Sequence, residues 1–469
     1  VSIATFYAGR NIFITGGSGF LGKVLIEKLL RSCPEIGHIF ILMRPKKGLS
    51  IDDRLKKMLE LPLFDKLRKE NHSSFEKLIP VLGDISNEDL GLSKNERQTL
   101  IEQVSIIFHI AANVRFEGNL KKDIFSNVRS TRDICILAKS MKNLVALVHI
   151  STAYAHVDKP VIDEIVYPSL VDWRNIIKMV ETLDEQIIEV FTSKYLGSMP
   201  NTYTFSKRIA EQVINDYSKD LPTVIIRPSI DIVTSTINDP IPGWLDNFNG
   251  PVAIMIGGAK GILRVIQLKS DVCGDFLPVD LAIKIMIIAA WKRGLNTYRN
   301  LNINQLITKD PTTYVYNATS NQIHRISHKR MIKLGLKLNK EMPLEGIIWY
   351  PQTFITSNYF VYFILTLLIH MIPALIIDEI LKIMGRQPML LKIHKIIYSH
   401  VTHLNYFLHN EWTFNNFKVL DIFDMQVPLA EQEIFSYDYR NFNINEYFKN
   451  CMTGAKCYLL KEDLNRLKE

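Results

Sequence analysis

The sequence predicts an α/β fold in which helices cover a parallel β-sheet, and three observations predict it. Short apolar runs typical of strands alternate with segments of helical spacing. A glycine-rich turn, TGGSGFLG at 15–22, joins the first run to the first helix. The composition, 47% hydrophobic and 22% charged over 469 residues, is that of an ordered chain large enough for two or three domains. Alternating strands and helices imply right-handed crossovers and hence a Rossmann-type domain.

The predicted elements follow one another in a regular order. Six strands are predicted, at 11–15, 38–43, 78–82, 105–110, 146–150 and 224–226. Helical patterns separate most of them, at 24–30, 54–60, 93–103 and 127–141. The segment 158–200 is interpreted as an insertion with a helix near 173–191.

Tyr203 and Lys207 are the leading candidates for chemistry. They are four residues apart in NTYTFSK, which places them on one face of a helix. A lysine ammonium beside a phenol favours the phenolate, so a group with an ordinary pKa of about 10 becomes a usable proton donor near neutral pH. The same spacing also occurs on solvated helix faces. Its position downstream of the glycine-rich turn indicates an enzyme that transfers a proton and a hydride.

The glycine-rich turn is predicted to bind a dinucleotide. Gly16, Gly19 and Gly22 allow a tight turn, a close approach of the backbone to a pyrophosphate, and packing of helix on strand. The N-terminus of the following helix supplies amide donors and a favourable dipole for that anion.

Residues after the next strands predict which dinucleotide is bound. Arg44, followed by Pro-Lys-Lys, suits the 2'-phosphate of NADP(H), whereas an acidic residue there would suit NAD. The alternative is an exposed basic turn. Asp84 and Ile85 are expected to bracket the adenine, and the small Ala111 is expected to lie against the cofactor. His109 is interpreted as a strand-end histidine with satisfied hydrogen bonds and not as a catalyst.

A hydroxyl group follows the fifth strand at the edge where open α/β sheets bind ligands. In STAYA, Thr152 is preferred over Ser151 to hold a substrate carbonyl while Tyr203 donates a proton. A local hydrogen bond to the backbone is the alternative for either residue. The five cysteines are scattered without metal-ligand spacing, so no metal site and no structural disulfide are expected.

Charge and hydropathy bear on the partners of the protein. The net charge of +8 comes from dispersed residues, so we do not expect nucleic-acid binding. We do expect a mild attraction to anionic ligands or membranes.

The segment 359–377 is almost wholly apolar and is just long enough to cross a bilayer. The alternatives are a buried helix or an in-plane helix bent at Pro373. The remainder is expected to be helical. The first residues lack the pattern of a signal peptide, and a chain that begins with valine leaves open whether others precede it.

The motifs together resemble a known family. TGGSGFLG, LMRPKKG, GDI, HIAANVRF, STAYA, PNTYTFSK and RPSI are similar to the extended short-chain dehydrogenase/reductases. PIPGWLDNFNGP, LPVD, YNATS and the run IYSHVTHLNYFLHNEWTFNN make the chain resemble the alcohol-forming fatty acyl-CoA reductases of the insect and eukaryotic type, over essentially its whole length. It departs from them at TGGSGF, where TGGTGF is common, and after YNATS, where an Asn-Pro pair is frequent.

The resemblance implies a fold, an activity and a location. It implies a reductase domain at 1–345 and a C-terminal domain at 355–469, with Phe20, Pro228 and Lys207 contacting the cofactor. The expected activity is NADPH-dependent reduction of long-chain fatty acyl-CoA to a primary alcohol through a bound aldehyde, catalysed by Thr152, Tyr203 and Lys207. The expected location is a cytosol-facing peroxisomal or endoplasmic-reticulum membrane. A sterol or sugar-nucleotide dehydrogenase and a non-catalytic NADP-binding scaffold are the alternatives. Acyl-chain preference and oligomeric state stay open.

Overall fold

A seven-stranded parallel sheet forms the centre of the molecule. The structure is a computed structural model that describes residues 1–463 except 170, 230–235, 238, 249, 303–311, 321–324 and 438–442. The strands are β1 (Asn11–Thr15), β2 (Ile39–Met43), β3 (Leu78–Leu82), β4 (Val104–His109), β5 (Ala146–Ile150), β6 (Val161–Ile162), β7 (Thr223–Pro228), β8 (Val265–Gln267), β9 (Cys273–Gly274), β10 (Tyr314–Ala318), β11 (Ile326–Ser327), β12 (Phe354–Thr356) and β13 (Thr413–Phe414). Seven of them form the sheet in the order β10-β7-β5-β4-β1-β2-β3, all parallel.

Helices cover both faces of this sheet and also form most of the C-terminal region. They are α1 (Ile3–Tyr7), α2 (Phe20–Ser32), α3 (Ile51–Leu59), α4 (Asp65–Glu70), α5 (Lys94–Gln103), α6 (Leu120–Asp123), α7 (Ser130–Lys139), α8 (Trp173–Thr182), α9 (Glu185–Leu196), α10 (Thr202–Tyr217), α11 (Gly250–Ala259), α12 (Val279–Asn302), α13 (His328–Glu341), α14 (Tyr359–Thr366), α15 (Ile372–Ile383), α16 (Leu390–His409), α17 (Phe417–Gln426), α18 (Leu429–Phe435) and α19 (Ile444–Gly454). Alternate residues of each strand face opposite cores: Ile12 and Ile14 pack with α2 and α12, while Phe13 packs with α7 and α10. The fold is therefore a three-layer α/β sandwich.

The strand order confirms the predicted Rossmann-type fold. All six predicted strands are present, with their ends shifted by at most two residues. The sequence prediction missed β10, which pairs with β7 at the sheet edge. Because β1 and β4 are neighbours and the chain winds in opposite directions from them, their carboxyl ends open a crevice in which ligands of such sheets bind.

The predicted insertion helix is two helices. α8 ends at Thr182 and α9 begins at Glu185, with Leu183 and Asp184 in extended backbone conformation between them. Asp184 is at the N-cap of α9, a position that short polar residues favour over the helix interior. The single predicted helix was therefore wrong at this break.

The C-terminal region is tied into the reductase region. β12 pairs with β8, and β13 pairs with β6. The carboxylate of Glu431 accepts hydrogen bonds from the amides of Ile3 at 2.6 Å and Ala4 at 3.0 Å. One hydrophobic core contains residues of both regions. The division into domains at 1–345 and 355–469 stays a prediction, and the two parts share a core.

The predicted apolar segment is one continuous helix of 25 residues, from Tyr359 to Ile383. It consists of α14, a π-helical stretch from Leu367 to Met371, and α15. The π-helical stretch precedes Pro373, which lacks the amide that an α-helix would use there. By length and composition alone this is the one helix, among the described residues, that could cross a membrane.

We predict that Gly454→Ala destabilises the protein. A Cβ at Gly454 would lie 1.7 Å from the backbone oxygen of Gly243, and backbone cannot yield as a side chain can. Alanine in a helix interior would otherwise gain up to about 1 kcal/mol over glycine. The overpacking should cost about 1–3 kcal/mol and outweigh that gain, which a chemical unfolding curve would measure. The control is Lys449→Ala, on the exposed side of the same helix. An alanine variant more stable than the native protein would contradict this packing.

Candidate active site

The glycine-rich turn follows β1 and meets the loop that follows β4. Gly16 has a φ of +79°, and a Cβ there would lie 2.7 Å from the amide nitrogen of Ala111. A Cβ at Gly22 would lie 2.3 Å from the Gly16 carbonyl oxygen. The turn therefore needs glycine at both positions. Gly19 is the N-cap of α2 and no side chain caps this helix, so its first amides point toward the crevice without a side-chain partner. This cradle fits the pyrophosphate of a dinucleotide.

Phe20 and Pro228 are placed differently with respect to that turn. Phe20 is the first residue of α2, and its ring stacks on Trp244 with a centroid distance of 5.4 Å. Pro228 is the last residue of β7, opposite Ala318 of β10. Both are at the carboxyl edge of the sheet, where the cofactor is expected.

Arg44 and Asp84 face each other at the ends of β2 and β3. The guanidinium Nη1 of Arg44 lies 2.7 Å from Asp84 Oδ2, and the Arg44 side chain is 59% exposed. Although burial acts to raise it, hydrogen bonds from Ser86 and from Arg44 lower the pKa of Asp84. Ile85 packs against the core on the α7 face of the sheet. The residues predicted to bind the adenosine end of the cofactor are therefore brought together.

Tyr203 and Thr152 meet at the carboxyl end of β5. Their hydroxyl groups are near neighbours, and Thr152 Oγ1 accepts a hydrogen bond from the amide of Tyr154 at 3.2 Å. Burial raises the pKa of Tyr203; Thr152 acts against this and the nearby carboxylate of Asp123 adds to it. The local backbone bond given as the alternative for Thr152 is present, and its role toward a substrate carbonyl stays a prediction.

Lys207 lies one turn beyond Tyr203 on α10, but its ammonium points to the end of β5 and not to the Tyr203 phenol. Its Nζ donates to the Ile150 carbonyl oxygen at 2.6 Å. Burial lowers the pKa of Lys207 to about 7, although Glu211 acts to raise it. The raised pKa of Tyr203 is thus the opposite of the sequence prediction, because burial of the phenol dominates and the lysine does not point at it.

A buried ionic cluster lies beneath these residues, and sequence reasoning missed it. Glu211 accepts hydrogen bonds from Ser151 Oγ at 2.6 Å, from His156 Nε2 at 2.9 Å, and from Arg227 Nε at 2.8 Å and Nη2 at 2.7 Å. The side chains of Glu211, His156 and Arg227 are fully buried. Burial would raise the pKa of Glu211, but Arg227 and His156 lower it. Because Ser151 is engaged by Glu211, Thr152 is the hydroxyl left beside Tyr203.

His109 behaves as the sequence predicted. Its Nδ1 is 2.8 Å from the Thr15 hydroxyl oxygen and its Nε2 is 3.1 Å from the Thr131 hydroxyl oxygen. Burial lowers its pKa to about 3. It is therefore a neutral, hydrogen-bonded residue that fastens β1 and α7 to the end of β4. Among the described residues, no group of three His, Cys, Asp or Glu side chains could hold a metal ion.

A second polar group beside Tyr203 also escaped the sequence analysis. The Asp123 carboxylate accepts hydrogen bonds from Asn113 Nδ2 at 2.7 Å and from the Thr202 hydroxyl. Burial raises the pKa of Asp123 to about 6, against these two hydrogen bonds. Because Thr202 precedes Tyr203 on α10, Asp123 fastens the start of that helix to the loop after β4.

Aromatic side chains from the reductase region and from the C-terminal region together cover the site. The aromatic cover consists of Phe116, Tyr154, Phe407 and Trp412. The Phe116 ring lies 5.9 Å from the Tyr203 ring and 5.4 Å from the Phe407 ring, centroid to centroid. Tyr154 makes edge contacts with Phe407 at 5.3 Å and with Trp412 at 5.4 Å. Phe407 of α16 and Trp412, which precedes β13, therefore help to bury the catalytic candidates away from water.

Comparison with known proteins places this geometry in a family. Two family models described as male sterility protein match, one of them an NAD-binding model, over residues 14–286 and 369–462. Fatty acyl-CoA reductase 1 of Homo sapiens is 36% identical over 467 residues, covering 100% of this chain and 88% of that protein. The chain belongs to the fatty acyl-CoA reductase family. Fatty acyl-CoA reductase 2 of Mus musculus is also 36% identical, covering 98% of this chain and 87% of that protein.

Solved structures show the same fold. The terminal R domain of the myxalamid biosynthetic pathway superposes with a TM-score of 0.59 at 18% identity, covering 97% of this chain and 93% of that one. The reductase domain of a non-ribosomal peptide synthetase from Mycobacterium tuberculosis gives 0.56 at 17% identity, covering 98% and 95%. The resemblance found in the sequence is therefore confirmed at the level of family and fold, and the NAD-binding model agrees with a nicotinamide cofactor.

We predict that Glu211→Gln lowers the free energy of unfolding by about 3–5 kcal/mol at pH 7, because it leaves the Arg227 guanidinium buried without its counter-charge. The pKa of Glu211 is lowered from its ordinary value of 4.5, so its contribution is complete above that pH and is lost as the pH falls below it. Urea unfolding at a series of pH values would measure both effects. The difference in the free energy of unfolding between the native protein and the variant should shrink in acid.

The matched control is Glu185→Gln. Glu185 is exposed and lies 3.9 Å from Lys122, so its loss should cost about 0.5 kcal/mol or less. An effect of Glu211→Gln no larger than that of the control would show that the cluster does not hold the site together.

Proposed function

We propose that this protein uses NADPH to reduce a long-chain fatty acyl-CoA to the primary alcohol through an aldehyde that stays bound, with release of CoA. Reduction of fatty acyl-CoA follows from membership of the family. The proximity of the buried Thr152 and Tyr203 hydroxyl groups, at the carboxyl edge where the Gly16 turn lies, is the observation that supports this site for the chemistry.

The two hydroxyl groups would bind the thioester oxygen together. Both Thr152 and Tyr203 can donate to a carbonyl oxygen in their midst, and they are buried under the aromatic cover. In a site from which water is excluded, donors aimed at the developing oxyanion stabilise the transition state strongly. Tyr203 then transfers its proton to that oxygen. A bound nicotinamide cofactor supplies the hydride that the carbonyl carbon accepts.

Reduction of a thioester to an alcohol takes two successive additions of a hydride and a proton, and both occur at the same site. In the first round the carbonyl carbon gains a hydride and its oxygen gains a proton, which gives a hemithioacetal. Its carbon–sulfur bond then breaks, CoA leaves as the thiol, and the aldehyde remains. In the second round the aldehyde gains a hydride and a proton and becomes the alcohol. Two NADPH and two protons are consumed for each alcohol formed.

Lys207 and the Glu211 cluster support Tyr203 in this scheme. With a pKa of about 7, Lys207 changes charge near neutral pH, and its Nζ is anchored on the Ile150 carbonyl oxygen at the end of β5, the strand that Thr152 follows. Glu211 favours the charged form of Lys207 and also holds Ser151, next to Thr152. The cluster is thus a positioning device for the catalytic candidates.

Arg44 supports NADPH as the preferred cofactor. Its guanidinium is exposed at the end of β2, and Asp84 holds it where the ribose of a bound dinucleotide is expected. A planar guanidinium suits a phosphate, and Lys46 and Lys47 follow it in an exposed turn.

Membrane association is part of the proposal. The helix from Tyr359 to Ile383 presents apolar side chains to the outside over most of its length. Fatty acyl-CoA and fatty alcohol both partition into lipid, so an enzyme at a lipid surface meets its substrate there. We propose a cytosol-facing site at a peroxisomal or endoplasmic-reticulum membrane.

We predict that Tyr203→Phe lowers alcohol formation by about 10²–10⁴-fold, because general acid catalysis is removed. The assay supplies NADPH and palmitoyl-CoA and measures hexadecanol, free CoA and NADPH consumed per alcohol. The matched control is Tyr217→Phe at the far end of the same helix, which should keep full activity. Unchanged alcohol output from Tyr203→Phe would remove the assignment. No CoA and no alcohol from the native protein would remove the reductase function.

We also predict that Arg44→Ala raises the KM for NADPH about 10- to 100-fold, the equivalent of one charged hydrogen bond, and leaves the KM for NADH nearly unchanged. Lys57→Ala, at an exposed position of α3, is the control. Equal effects on both cofactors would contradict recognition of the 2'-phosphate by Arg44.

A further inference from the structure

The apolar helix from Tyr359 to Ile383 has two different sides. Along one side, every fourth residue is buried against the rest of the protein. These buried residues are Tyr362, Thr366, His370, Ala374 and Asp378. A spacing of four residues follows one face of a helix, so the helix lies lengthwise on the protein surface.

Polar contacts hold this buried side in place. His370 Nε2 accepts a hydrogen bond from the amide of Arg264 at 3.0 Å, and its ring stacks on that of His394 at 4.9 Å. The Asp378 carboxylate accepts three amide hydrogen bonds at the start of α16, at distances of 2.9 to 3.0 Å. The Tyr362 ring stacks on Tyr398 of the same helix at 5.9 Å. The segment is therefore fastened along its length, from Tyr362 to Asp378.

The outward side is apolar and exposed, and we call it the apolar face. Phe360 is 69% exposed, Leu368 52%, Ile376 54% and Ile383 87%. Trp349, which is 54% exposed, extends the face, because its ring holds the guanidinium of Arg264 at 4.9 Å, beside His370. A surface of this length is larger than soluble proteins leave uncovered, and tryptophan is enriched at membrane interfaces.

Positive charge surrounds one end of the apolar face. Lys382, Arg386, Lys392 and Lys395 are all exposed there, whereas Glu379 is the one exposed carboxylate between residues 359 and 400. Three of these lysines line a cavity of about 560 Å³ between α15 and α16, together with Glu117, Asp378 and Glu379. Asp378 is occupied with the amides of α16. Because the exposed cations outnumber the exposed carboxylates at this end, a partner with a negatively charged surface is favoured beside the apolar face.

We propose that the apolar face docks in the plane of an anionic lipid bilayer, with both ends of the helix on the same side of the membrane. This inference rests on the membrane association proposed above and specifies its geometry. The apolar face enters the boundary between headgroups and acyl chains, and Arg386, Lys392 and Lys395 contact lipid phosphates, while Lys382 is paired with Glu379.

A membrane crossing is incompatible with the contacts of the buried side. A helix that crosses the bilayer would leave Thr366, His370 and Asp378 in hydrocarbon without their partners, or carry Arg264 and the start of α16 in with them. The in-plane position keeps every one of these contacts and still removes the apolar face from water.

The first test is binding to phosphatidylcholine vesicles with and without phosphatidylserine, measured by flotation. The native protein should bind, and more so with phosphatidylserine. Leu368→Asp combined with Ile376→Asp should weaken binding about tenfold or more, since two charges enter the apolar boundary. Leu429→Asp, at a position 86% exposed on α18, is the matched control and should bind normally. Lys392→Glu with Lys395→Glu should abolish the gain from phosphatidylserine.

The second test is topology in sealed membranes from expressing cells. Ser357→Cys and Gln387→Cys place a thiol just before and just after the helix, at exposed positions. Both should react with a membrane-impermeant maleimide without detergent. A thiol that reacts only after detergent would show a crossing and overturn the inference while leaving membrane association intact.

Reductase activity on a water-soluble short-chain acyl-CoA separates the two proposals. The Leu368→Asp/Ile376→Asp variant should keep that activity in solution, which also shows that it folds. A native protein that binds no vesicles would overturn both the association and its geometry; elution as a dimer would then identify a second copy as the cover of the apolar face.

Discussion

Burial of the Glu211 carboxylate among Ser151, His156 and Arg227 is the interaction on which the catalytic geometry depends. It connects α10 to the ends of β5 and β7, three elements that are distant in the sequence. A buried carboxylate is tolerated only when its hydrogen bonds are complete, so α10 has a single position in which all of them form. Tyr203 and Lys207, two turns and one turn before Glu211, are positioned by the same requirement.

The electrostatics of the site follow from that burial. Desolvation raises the pKa of Tyr203 and lowers that of Lys207, so burial favours the neutral form of both groups. In the proposed reaction the tyrosine would hold its proton until negative charge develops on a substrate oxygen. An acid that is neutral at rest and faces a developing oxyanion is suited to reduction of a carbonyl, and it needs no metal ion in this scheme.

The sequence predicted the parts of the molecule that have local signals. The alternation of strands and helices, the Gly16 turn, and the pairing of Tyr203 with Thr152 across the sheet edge could be inferred from spacing and from the rule that ligands bind at carboxyl ends of strands. The role of Glu211 could not, because nothing near it in the sequence indicates that Arg227 and His156 will meet it. Phe407 and Trp412 in the aromatic cover are likewise brought to the site by long-range packing. The orientation of Lys207 depends on the Ile150 carbonyl, which no spacing rule identifies.

The pairing of β6 with β13 and of β8 with β12, together with the Glu431 contact to the first helix, has a consequence for synthesis in the cell. The ribosome releases the strands of the reductase region long before their partners exist, so β6 and β8 leave as unpaired edges. Such edges are prone to aggregation until they are covered. The protein is thus expected to need chaperone protection throughout translation and to complete its reductase core only after its last helices have emerged.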